Sequence, residues 1–587
     1  MTEKHSYGQI LKSSALIGGS SLINIAIGVI RTKSMAILLG PSGVGLMGLY
    51  GSIIDLTVTL TGMGINSSGV RQIAEATGSS EKDRLAITVK VLRRISFYLG
   101  LLGAIVLLIS SPFVSALTFG NEQHTLAISL LSAVIFFNTV SAGQSALIQG
   151  MRRISDLAKI AILGTFYGTI ISIIVVYFLR EKGVAIALVL ISVITVLTSW
   201  WYSRKITIQL PSLSIRQLWR ETAALLKLGF AFMVSGLLMT ASAYLIRLIV
   251  VRKVGFDAAG LYQAAWTLGG LYLGFILQAM GSDFYPRLTA VAKDNFECNR
   301  LVNEQAHISL LLAGPGVIAT LTLAPLVIAI FYTAKFLGAV EILRWLCLGM
   351  ALRVISWPLG FIIMAKGAQN YIIFSEVAWA AVYLAIAWFC VSLYGLNGVG
   401  IAFFASYVFH VFLNYVIARK LSDFHWTVTN LQTCFLFVAL ITIVFTCFYL
   451  VPFWIAIGIG AIATLISSVY SLKALLRLVS LNKLPRPLLK LLQLFRIASS
   501  NTDESQRFQD ISDSPHSVSG LNKKSLTNLK FQTIALSLCI AFVIWANWYV
   551  KLYGWPLGEI SVVDKLDNFQ KKLTEITLYL LQILGHP

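Results

Sequence analysis

Residues 31–46 read Arg-Thr-Lys-Ser-Met-Ala-Ile-Leu-Leu-Gly-Pro-Ser-Gly-Val-Gly-Leu, the end of a long apolar run followed by a Gly-Pro pair. Part of this stretch recurs 215 positions later, and a second stretch recurs at the same offset. The matched residues are Gly40, Gly45 and Leu46 with Gly255, Gly260 and Leu261, and Gly183-Val184-x-Ile186-Ala187 with Gly398-Val399-x-Ile401-Ala402. Apolar helices also resemble one another by chance, but a constant offset at two distant places favours an internal repeat.

The composition identifies the class of protein. Of the 587 residues, 57% are hydrophobic and only 12% are charged, against about 25% charged in soluble domains, and the mean hydropathy is +0.79. Because a soluble protein must display a polar surface, these values exclude a soluble enzyme, a disordered protein and a disulfide scaffold. The net charge of +21 does not indicate a nucleic-acid partner, since Lys and Arg lie between apolar runs rather than in one patch. The chain is predicted to be an all-α integral membrane protein.

Fourteen apolar runs are long enough to cross a bilayer, at roughly 20 residues each. They lie near residues 12–39, 44–64, 95–118, 125–149, 158–179, 184–203, 226–251, 258–282, 305–333, 338–365, 371–395, 398–418, 432–451 and 454–475. The first run is longer than a signal-peptide core and is predicted to be retained. Six runs separate the two copies, so both copies have the same orientation. Parallel repeats predict a transporter whose site lies at the repeat interface near mid-membrane.

Loop charges predict the orientation of the chain. The N-terminus and alternate loops hold 28 of the 46 Lys and Arg residues, whereas the opposite loops hold five. This bias predicts a cytoplasmic N-terminus and a multi-pass protein of the cytoplasmic (inner) membrane. The predicted domains are an N-lobe at 1–220, a C-lobe at 221–425, two helices at 426–496, a polar cytoplasmic linker at 497–529 and a C-terminal extension at 530–587.

The C-terminal extension combines an apolar run with a heptad pattern. Residues 531–550 predict a fifteenth span, which ends in an aromatic belt of Trp545 and Trp548. Apolar residues then recur at spacings of four and three: Val562, Leu566, Phe569, Leu573, Ile576, Leu580 and Ile583. This pattern predicts either a partner-binding coiled-coil helix or an amphipathic helix on the membrane.

Sequence motifs of enzymes are missing or out of context. The GxGxxG match at 43–48 follows an apolar helix and not a strand, so it predicts a tight interhelical turn with close packing. No GxxxxGK[ST], HExxH or CxxC motif occurs, the seven His are scattered, and most of the six Cys lie in apolar runs. The sequence therefore predicts no catalytic residue, no metal site, no cofactor and no ATP-driven pump.

Charged residues inside the spans are candidate site residues, because ionisable groups in a bilayer are costly. One basic residue per copy lies at similar depth, Arg31 nine residues before Gly40 and Arg247 eight before Gly255. Two arginines facing an interface would bind an anion bidentately. The alternative is that they snorkel or form structural ion pairs. Arg344 and Arg353 lie about 180° apart on one helix, and the deeper Arg353 is preferred as the third cationic residue.

Two acidic residues and a helix interruption complete the candidate site. Asp55 is either a coupling-ion site or, preferably, an ion-pair partner. Glu376 has the same two roles open to it, although a solvated carboxylate near a helix start is the simpler interpretation. Pro358 and Gly360 interrupt the 338–365 run and predict either a hinge or an ordinary packing kink.

Two blocks of the sequence resemble the O-antigen translocase family of lipid-linked oligosaccharide flippases, over about residues 8–480. The first block is 31–33 with Leu39-Gly40-Pro41-Ser42-Gly43-Val44-Gly45-Leu46. The second is Leu343-Arg344-Trp345, Ser356-Trp357-Pro358-Leu359-Gly360-Phe361, Ala365-Lys366-Gly367, Glu376, Tyr383 and Gly398-Val399-Gly400-Ile401-Ala402-Phe403-Phe404. The superfamily also contains multidrug antiporters and the peptidoglycan-precursor flippase. The extension after residue 500 falls outside the resemblance.

The resemblance implies a two-lobed, fourteen-helix transporter that works by alternating access on an undecaprenyl-pyrophosphate-linked oligosaccharide. Its cationic cavity would fall to Arg31, Arg247 and Arg353, and a proton or sodium gradient would be the coupling source. Membrane lipids would be partners. The C-terminal extension, which the resemblance does not cover, leaves open a regulatory role or the docking of a polysaccharide polymerase or another assembly protein. Two alternatives stay open: a cation-coupled multidrug antiporter, and a membrane glycan polymerase or glycosyltransferase. Five of the seven in-span charges are basic, which disfavours the antiporter, and no loop before the extension exceeds about 30 residues, which disfavours the polymerase.

Overall fold

A computed structural model describes residues 3–78, 82–206 and 215–478. Within these ranges the chain forms α-helices and short 3-10 turns and no strand, which confirms the all-α class. The helices are α1 Glu3–Thr61, α2 Ile65–Gly78, α3 Lys82–Phe119, α4 Thr125–Gly150, α5 Ile154–Leu179, α6 Gly183–Ser203, α7 Ile215–Lys253, α8 Phe256–Ala290, α9 Asn295–Thr322, α10 Ala324–Phe331, α11 Ala339–Ala365, α12 Gln369–Tyr394, α13 Asn397–Ser422, α14 Val428–Leu450 and α15 Phe453–Leu478. The predicted linker at 497–529 and extension at 530–587 lie outside the described residues.

Eleven helical segments of the described chain are long and apolar enough to cross a membrane. Two of them are long enough for two crossings each, Ile23–Thr61 with 39 residues and Ile154–Ser203 with 50. Helix α8, which contains the predicted span 258–282, is not among the eleven. The protein is therefore a multi-pass membrane protein, and the number of fourteen crossings stays a prediction.

The first two predicted spans both lie in the segment α1, which consists of two helices joined at Gly40, whose φ of +66° and ψ of −169° are not helical. Two local predictions differ from the structure. The predicted loop at 65–94 contains the amphipathic helix α2 and the start of α3. The glycine motif at 43–48 is helical and not a turn, since the bend falls at Gly40 and at Pro41, whose imide has no N–H to donate.

The repeat extends to the backbone angles. Helices α5 and α12 have 26 residues each and begin 215 positions apart. The flanking residues that share backbone angles are Arg152 (φ 54°) with Gly367 (φ 67°), Arg153 (φ −81°, ψ 61°) with Ala368 (φ −80°, ψ 64°), and Arg180 (φ 51°, ψ −134°) with Gly395 (φ 56°, ψ −139°). Gly40 and Gly255, matched by the same offset, both have positive φ, 66° and 114°. Equal angles at matched positions support two copies of one helical unit.

The match between Arg152 and Gly367 predicts a stabilising substitution. Arg152 is exposed and has φ +54°, a conformation that costs a residue with a Cβ roughly 1 kcal/mol more than glycine. We expect Arg152→Gly to raise the free energy of unfolding by about 1 kcal/mol, measured by equilibrium unfolding in mixed micelles. Arg152→Ala is the control, because it removes the same charge and keeps the Cβ. Equal stabilisation by the two variants would contradict the strain argument.

Helix α11 forms the centre of the second copy. It is the most enclosed of the candidate spans, with 78% of its most apolar window buried. Its neighbours include α8, α9, α12 and α13. Helix α1 packs along α8, so the two copies meet beside the glycines of the opening stretch. This contact positions the candidate site.

Candidate functional site

The two copies meet through a reciprocal pair of glycines. A Cβ atom on Gly45 would lie 2.7 Å from the carbonyl oxygen of Phe256, and one on Gly260 would lie 1.8 Å from that of Pro41. The same offset of 215 relates Gly45 to Gly260 and Pro41 to Phe256. The obstructing atoms belong to the backbone and cannot rotate away, so these two positions require glycine. We call this contact the glycine seal.

Arg247 lies directly beside the glycine seal. Its Nε and Nη2 atoms donate to Oε1 of Gln263 at 3.1 and 2.9 Å, and Nη1 donates to the carbonyl oxygen of Ala243 at 3.1 Å. Gln263 in turn packs on Gly48 of the other copy, where a Cβ atom would lie 2.7 Å from Oε1. The guanidinium is therefore held at the interface between the copies by a side chain that contacts both.

The two copies separate on the side of the seal where Asp55 lies. Gly48, Gly51, Asp55 and Thr59 follow one another at helical spacing along α1. A Cβ atom on Gly51 would have no neighbour within 4 Å, and Asp55 is exposed. Contact returns at Thr59, whose Cγ2 would lie 3.3 Å from a Cβ on Gly236 of α7. Asp55 thus faces a gap between the copies, which we call the central gap.

The central gap contains charges of both signs. Asp55 interacts electrostatically with Arg247. Within the described ranges, no ion pair of 4.0 Å or less joins the two groups, because the guanidinium bonds to Gln263 and Ala243 instead. Arg247 therefore remains available to a further anion that enters the gap.

A second contact closes the opposite end of the gap. A Cβ atom on Gly64 would lie 2.2 Å from the carbonyl oxygen of Gly229, and one on Gly229 would lie 2.2 Å from that of Met63. Gly64 has φ +61° and stands in the turn between α1 and α2. The two copies therefore touch at both ends of the central gap.

Arg31 is half-buried and lies in the part of α1 that precedes Gly40. The repeat offset matches Arg31 to Ile246 and Arg247 to Thr32, so the two arginines are one residue, or about 100°, out of register on their helices. The sequence predicted similar depth for the two arginines. The cavity role of Arg31 stays a prediction.

Lys33 is used in packing. Its Nζ donates to the carbonyl oxygens of Ala329, at 2.6 Å, and Tyr332. These carbonyls end helix α10, where a cation offsets the negative end of the helix dipole.

The second pair of predicted residues lies within the second copy. Arg353 is half-buried on α11 and interacts electrostatically with Glu376 of α12. Glu376 lies seven residues inside α12 and is only partly exposed. The interpretation of Glu376 as a solvated helix-start carboxylate is therefore wrong, because that position is packed against the neighbouring helix. Whether the pair couples ions stays a prediction.

Arg344 makes packing contacts that Arg353 does not make. Its guanidinium pairs with Glu341 at 2.7 Å and lies 3.8 Å from the ring centre of Phe448. The hydroxyl of Tyr449 donates to the same carboxylate at 2.5 Å. These contacts join α11 to α14. Arg344 is thus engaged in packing, and the cavity role of Arg353 stays a prediction.

A buried polar network in the second copy was missed by the sequence reasoning. His410 Nδ1 lies 2.9 Å from the hydroxyl of Ser356, and Nδ2 of Asn414 donates to that hydroxyl at 3.1 Å. Ser375 donates to Oδ1 of Asn414 at 2.6 Å. The network joins α11, α12 and α13. The spacing of His410 and Asn414, four residues apart in the apolar run 398–418, is the signal that could have revealed it.

Pro358 and Gly360 lie beside this network. Pro358 is buried, and a Cβ atom on Gly360 would lie 3.9 Å from Nδ2 of Asn414. Helix α11 continues through both residues. The chain is therefore not interrupted here, and the hinge role stays a prediction. No cluster of three metal-ligating side chains occurs among the described residues.

Comparisons with known proteins agree with this architecture. The model of the polysaccharide biosynthesis protein family matches residues 34–341, slightly more than half of the chain. The Lipid III flippase of Escherichia coli (strain K12) is 20% identical over 401 residues, 68% of this chain and 95% of that protein. A provisionally named O-antigen transporter of Shigella flexneri is 27% identical over 380 residues, 62% of this chain and 87% of its own.

Solved structures share the fold. The lipid II flippase MurJ, in an inward closed conformation, aligns with a TM-score of 0.57 at 14% identity, over 79% of this chain and 99% of its own. An inward-facing multidrug resistance transporter of the MATE family and MOP superfamily aligns with a TM-score of 0.58 at 16% identity, over 69% and 99% of the two chains. At these identities the likeness concerns the fold.

Proposed function

Because this chain belongs to the polysaccharide biosynthesis protein family, we propose that it is a flippase for an undecaprenyl-pyrophosphate-linked oligosaccharide. The oligosaccharide would be of the O-antigen type or a related polysaccharide repeat unit. The protein is a membrane transporter and not an enzyme, in line with the names of its relatives. It would carry its substrate across the cytoplasmic membrane, from the inner to the outer leaflet, by alternating access.

The central gap, with Arg247 at one end of it, is the observation that carries the proposal. A pyrophosphate must lose its water shell to pass between two lobes, and a guanidinium compensates it by bidentate hydrogen bonds. Arg247 is fixed at the interface by Gln263, beside the glycine seal. The substrate can shift the protein from one conformational state to the other only if its pyrophosphate binds the two states with different affinities. A guanidinium held by Gln263, a side chain that packs on both lobes in this state, supplies such a difference.

The other predicted site residues also have roles in this proposal. Arg31 and Arg353 would extend the cationic lining from the two lobes. Asp55 and Glu376 would each serve a proton or sodium gradient or an ion pair, with Arg247 and Arg353 as the respective neighbours. Pro358 and Gly360 would act as a hinge of α11.

Orientation and domains are part of the proposal. The loop charges place the N-terminus in the cytoplasm, which puts the glycine seal on the outer side. The lobes would be residues 1–220 and 221–425, followed by the two helices within 426–496. The segments 497–529 and 530–587 would offer a linker and a docking element for a polymerase or another assembly protein.

Loss of the gene should trap the lipid-linked precursor inside the cell. We expect a deletion strain to accumulate undecaprenyl-pyrophosphate-linked oligosaccharide that is inaccessible from the outer face, and the wild-type gene to relieve this accumulation. The measurement is quantification of extracted lipid with and without an outer-face probe. A strain that never accumulates the precursor would refute the proposal.

Two further readouts separate the alternative functions. Ethidium efflux that depends on Asp55 would replace the proposal with the multidrug antiporter. New glycosidic product made by the purified protein would replace it with the glycan polymerase.

A further inference from the structure

Two cations cross the interface between the copies and cap helix ends on the far side. Nη2 of Arg252, at the end of α7, donates to the carbonyl oxygens of Ala116 at 2.7 Å and Leu117 at 2.5 Å, in the last turn of α3. Lys33 of α1 does the same in the opposite direction, to the carbonyls that end α10. The last carbonyls of a helix lack N–H partners within it, and a cation offsets the negative charge of that end. Each copy thus caps a helix of the other.

The repeat relates the two caps to each other. The offset of 215 matches Leu117 to Tyr332, and each of these carbonyls accepts from the cation of the other copy. It also matches the end of α3 to α10, and the first part of α1 to α7, the helices that carry the cations. Lys33 matches Leu248, which lies one helical turn from Arg252 on the same face of α7. The caps are therefore reciprocal. Because their donors differ in residue type and in turn, the duplication alone does not produce them.

The cap at α3 has one further bond between the copies. The hydroxyls of Thr118 in α3 and Tyr244 in α7 lie 2.7 Å apart. The repeat position of Thr118 is Thr333, whose buried Oγ1 has no hydrogen-bond partner among the described residues. That of Tyr244 is Val29, which has no polar side-chain atom. The polar contact at α3 therefore keeps a bond when its cation is removed, whereas the corresponding bond is missing at α10 in the described part of the chain.

Neighbouring cations make the same kind of contact inside one copy. Nη1 of Arg180 donates to the carbonyl oxygen of Leu38 at 3.2 Å, and both residues belong to the first copy. Nζ of Lys253 donates to that of Trp388 at 2.8 Å, and both belong to the second. These bonds need not break when the copies separate. The two crossing cations, in contrast, make all their side-chain hydrogen bonds with the other copy, among the residues that the structure describes.

We propose that Lys33 and Arg252 form a reciprocal latch that holds the two copies closed on the side of the glycine seal. A contact biases a conformational equilibrium only if it differs between the two states. Separation of the copies on this side would take both cations away from their helix ends, so the latch stabilises the closed state alone. Both caps must break before this side opens.

The latch rests on the proposed function only for the side of the membrane that it faces. The charge bias assigns this side to the exterior. In that orientation the latch would keep an empty carrier closed toward the exterior. The contacts themselves do not depend on the identity of the substrate.

The latch is tested by distance measurements on the purified full chain in nanodiscs at pH 8.0, without substrate. Spin labels on non-canonical residues at positions 121 and 257, which are exposed in the two copies, leave the native cysteines untouched. We expect the wild type to show one short distance population. Lys33→Met and Arg252→Met should each add a longer population that is at least about threefold larger than any in the wild type. Lys33→Met should have the larger effect, because the cap at α10 has no second bond among the described residues.

Matched controls separate the latch from general packing. Arg180→Met and Lys253→Met each remove a cation that bonds within its own copy, and both should keep the wild-type distance. Arg252→Lys should also stay closed, because an ammonium group can donate to two carbonyls, as Lys33 does.

Two results would overturn the latch. One is an Arg252→Met variant, or a variant that combines Lys33→Met with it, that keeps only the short distance. The other is a control variant that opens as far as Lys33→Met. Because Arg252 is exposed, its variants test the latch even where loss of the buried Lys33 prevents folding. Because no substrate is present, failure of the flippase proposal would leave this result intact.

Discussion

Export is expected to cease when Arg31 and Arg247 are both replaced by alanine, with the amount of protein in the membrane unchanged. Removing one partner of a desolvated charge contact costs about 2–5 kcal/mol, and each 1.4 kcal/mol is about tenfold. We therefore expect transport of the lipid-linked oligosaccharide to fall by at least about 30-fold. The measurement is the inaccessible precursor in the complemented deletion strain, normalised to protein level.

Single variants and a control show how much of the loss of export each arginine causes. Arg247→Ala alone should cause most of the loss, because only Arg247 is fixed beside the central gap by Gln263. Arg247→Lys keeps the charge but cannot make the forked contact, so we expect an intermediate loss. Arg152→Ala removes an exposed guanidinium elsewhere and should leave export unchanged. Normal export by the double variant would remove both arginines from the site.

A single methyl group at Gly260 is expected to stop transport almost completely. The Cβ of Gly260→Ala would lie 1.8 Å from the carbonyl oxygen of Pro41, and backbone atoms cannot rotate away. Helices α1 and α8 would have to separate, and the lobes could not close at the glycine seal. We expect at least tenfold slower export, together with a longer distance between spin labels at positions 121 and 257 at pH 8.0. Gly45→Ala should act in the same direction and more mildly, since its Cβ would lie 2.7 Å from the nearest atom.

Each of these substitutions has a matched control on its own helix. Gly270→Ala in α8 and Gly28→Ala in α1 add the same methyl group where no atom lies within 4 Å. Both should express and export like the wild type. If Gly260→Ala exports normally, or if Gly270→Ala fails as badly, the seal is not what holds the lobes together. Protein level and a monodisperse elution profile separate loss of closure from loss of folding.

The repeat could be predicted from the sequence because glycine is needed at special backbone angles in both copies. Gly40 and Gly255 have positive φ, and Gly45 and Gly260 allow backbone contact, so these residue types recur at a constant offset. The contact between Gly45 and Gly260 could not be predicted. A recurrence shows that two positions are equivalent, and only the packing of the helices shows that they touch.

Charged residues in the spans were easy to find in the sequence, but their contacts could not be predicted from it. An arginine in an apolar run is visible at once, but its contacts are not: Arg344 pairs with Glu341 one turn back on its own helix, and Tyr449 of α14 donates to the same carboxylate. Depth along a helix follows from residue count. Which neighbours a side chain meets depends on how the helices pack, as the bonds of Arg247 to Gln263 on the next helix show.

Gly48 and Gln263 occupy equivalent positions in the two copies and pack on each other. If both of these positions were glutamine, the two side chains would collide at the twofold axis. If both were glycine, Arg247 would lose its hydrogen-bond acceptor. A homodimer of identical halves has only these two options. A single chain that contains both halves can place one residue of each kind at the axis. The anion is therefore bound by Arg247 of the second lobe alone. The first lobe can move away from the second without first breaking a bond of its own to the anion.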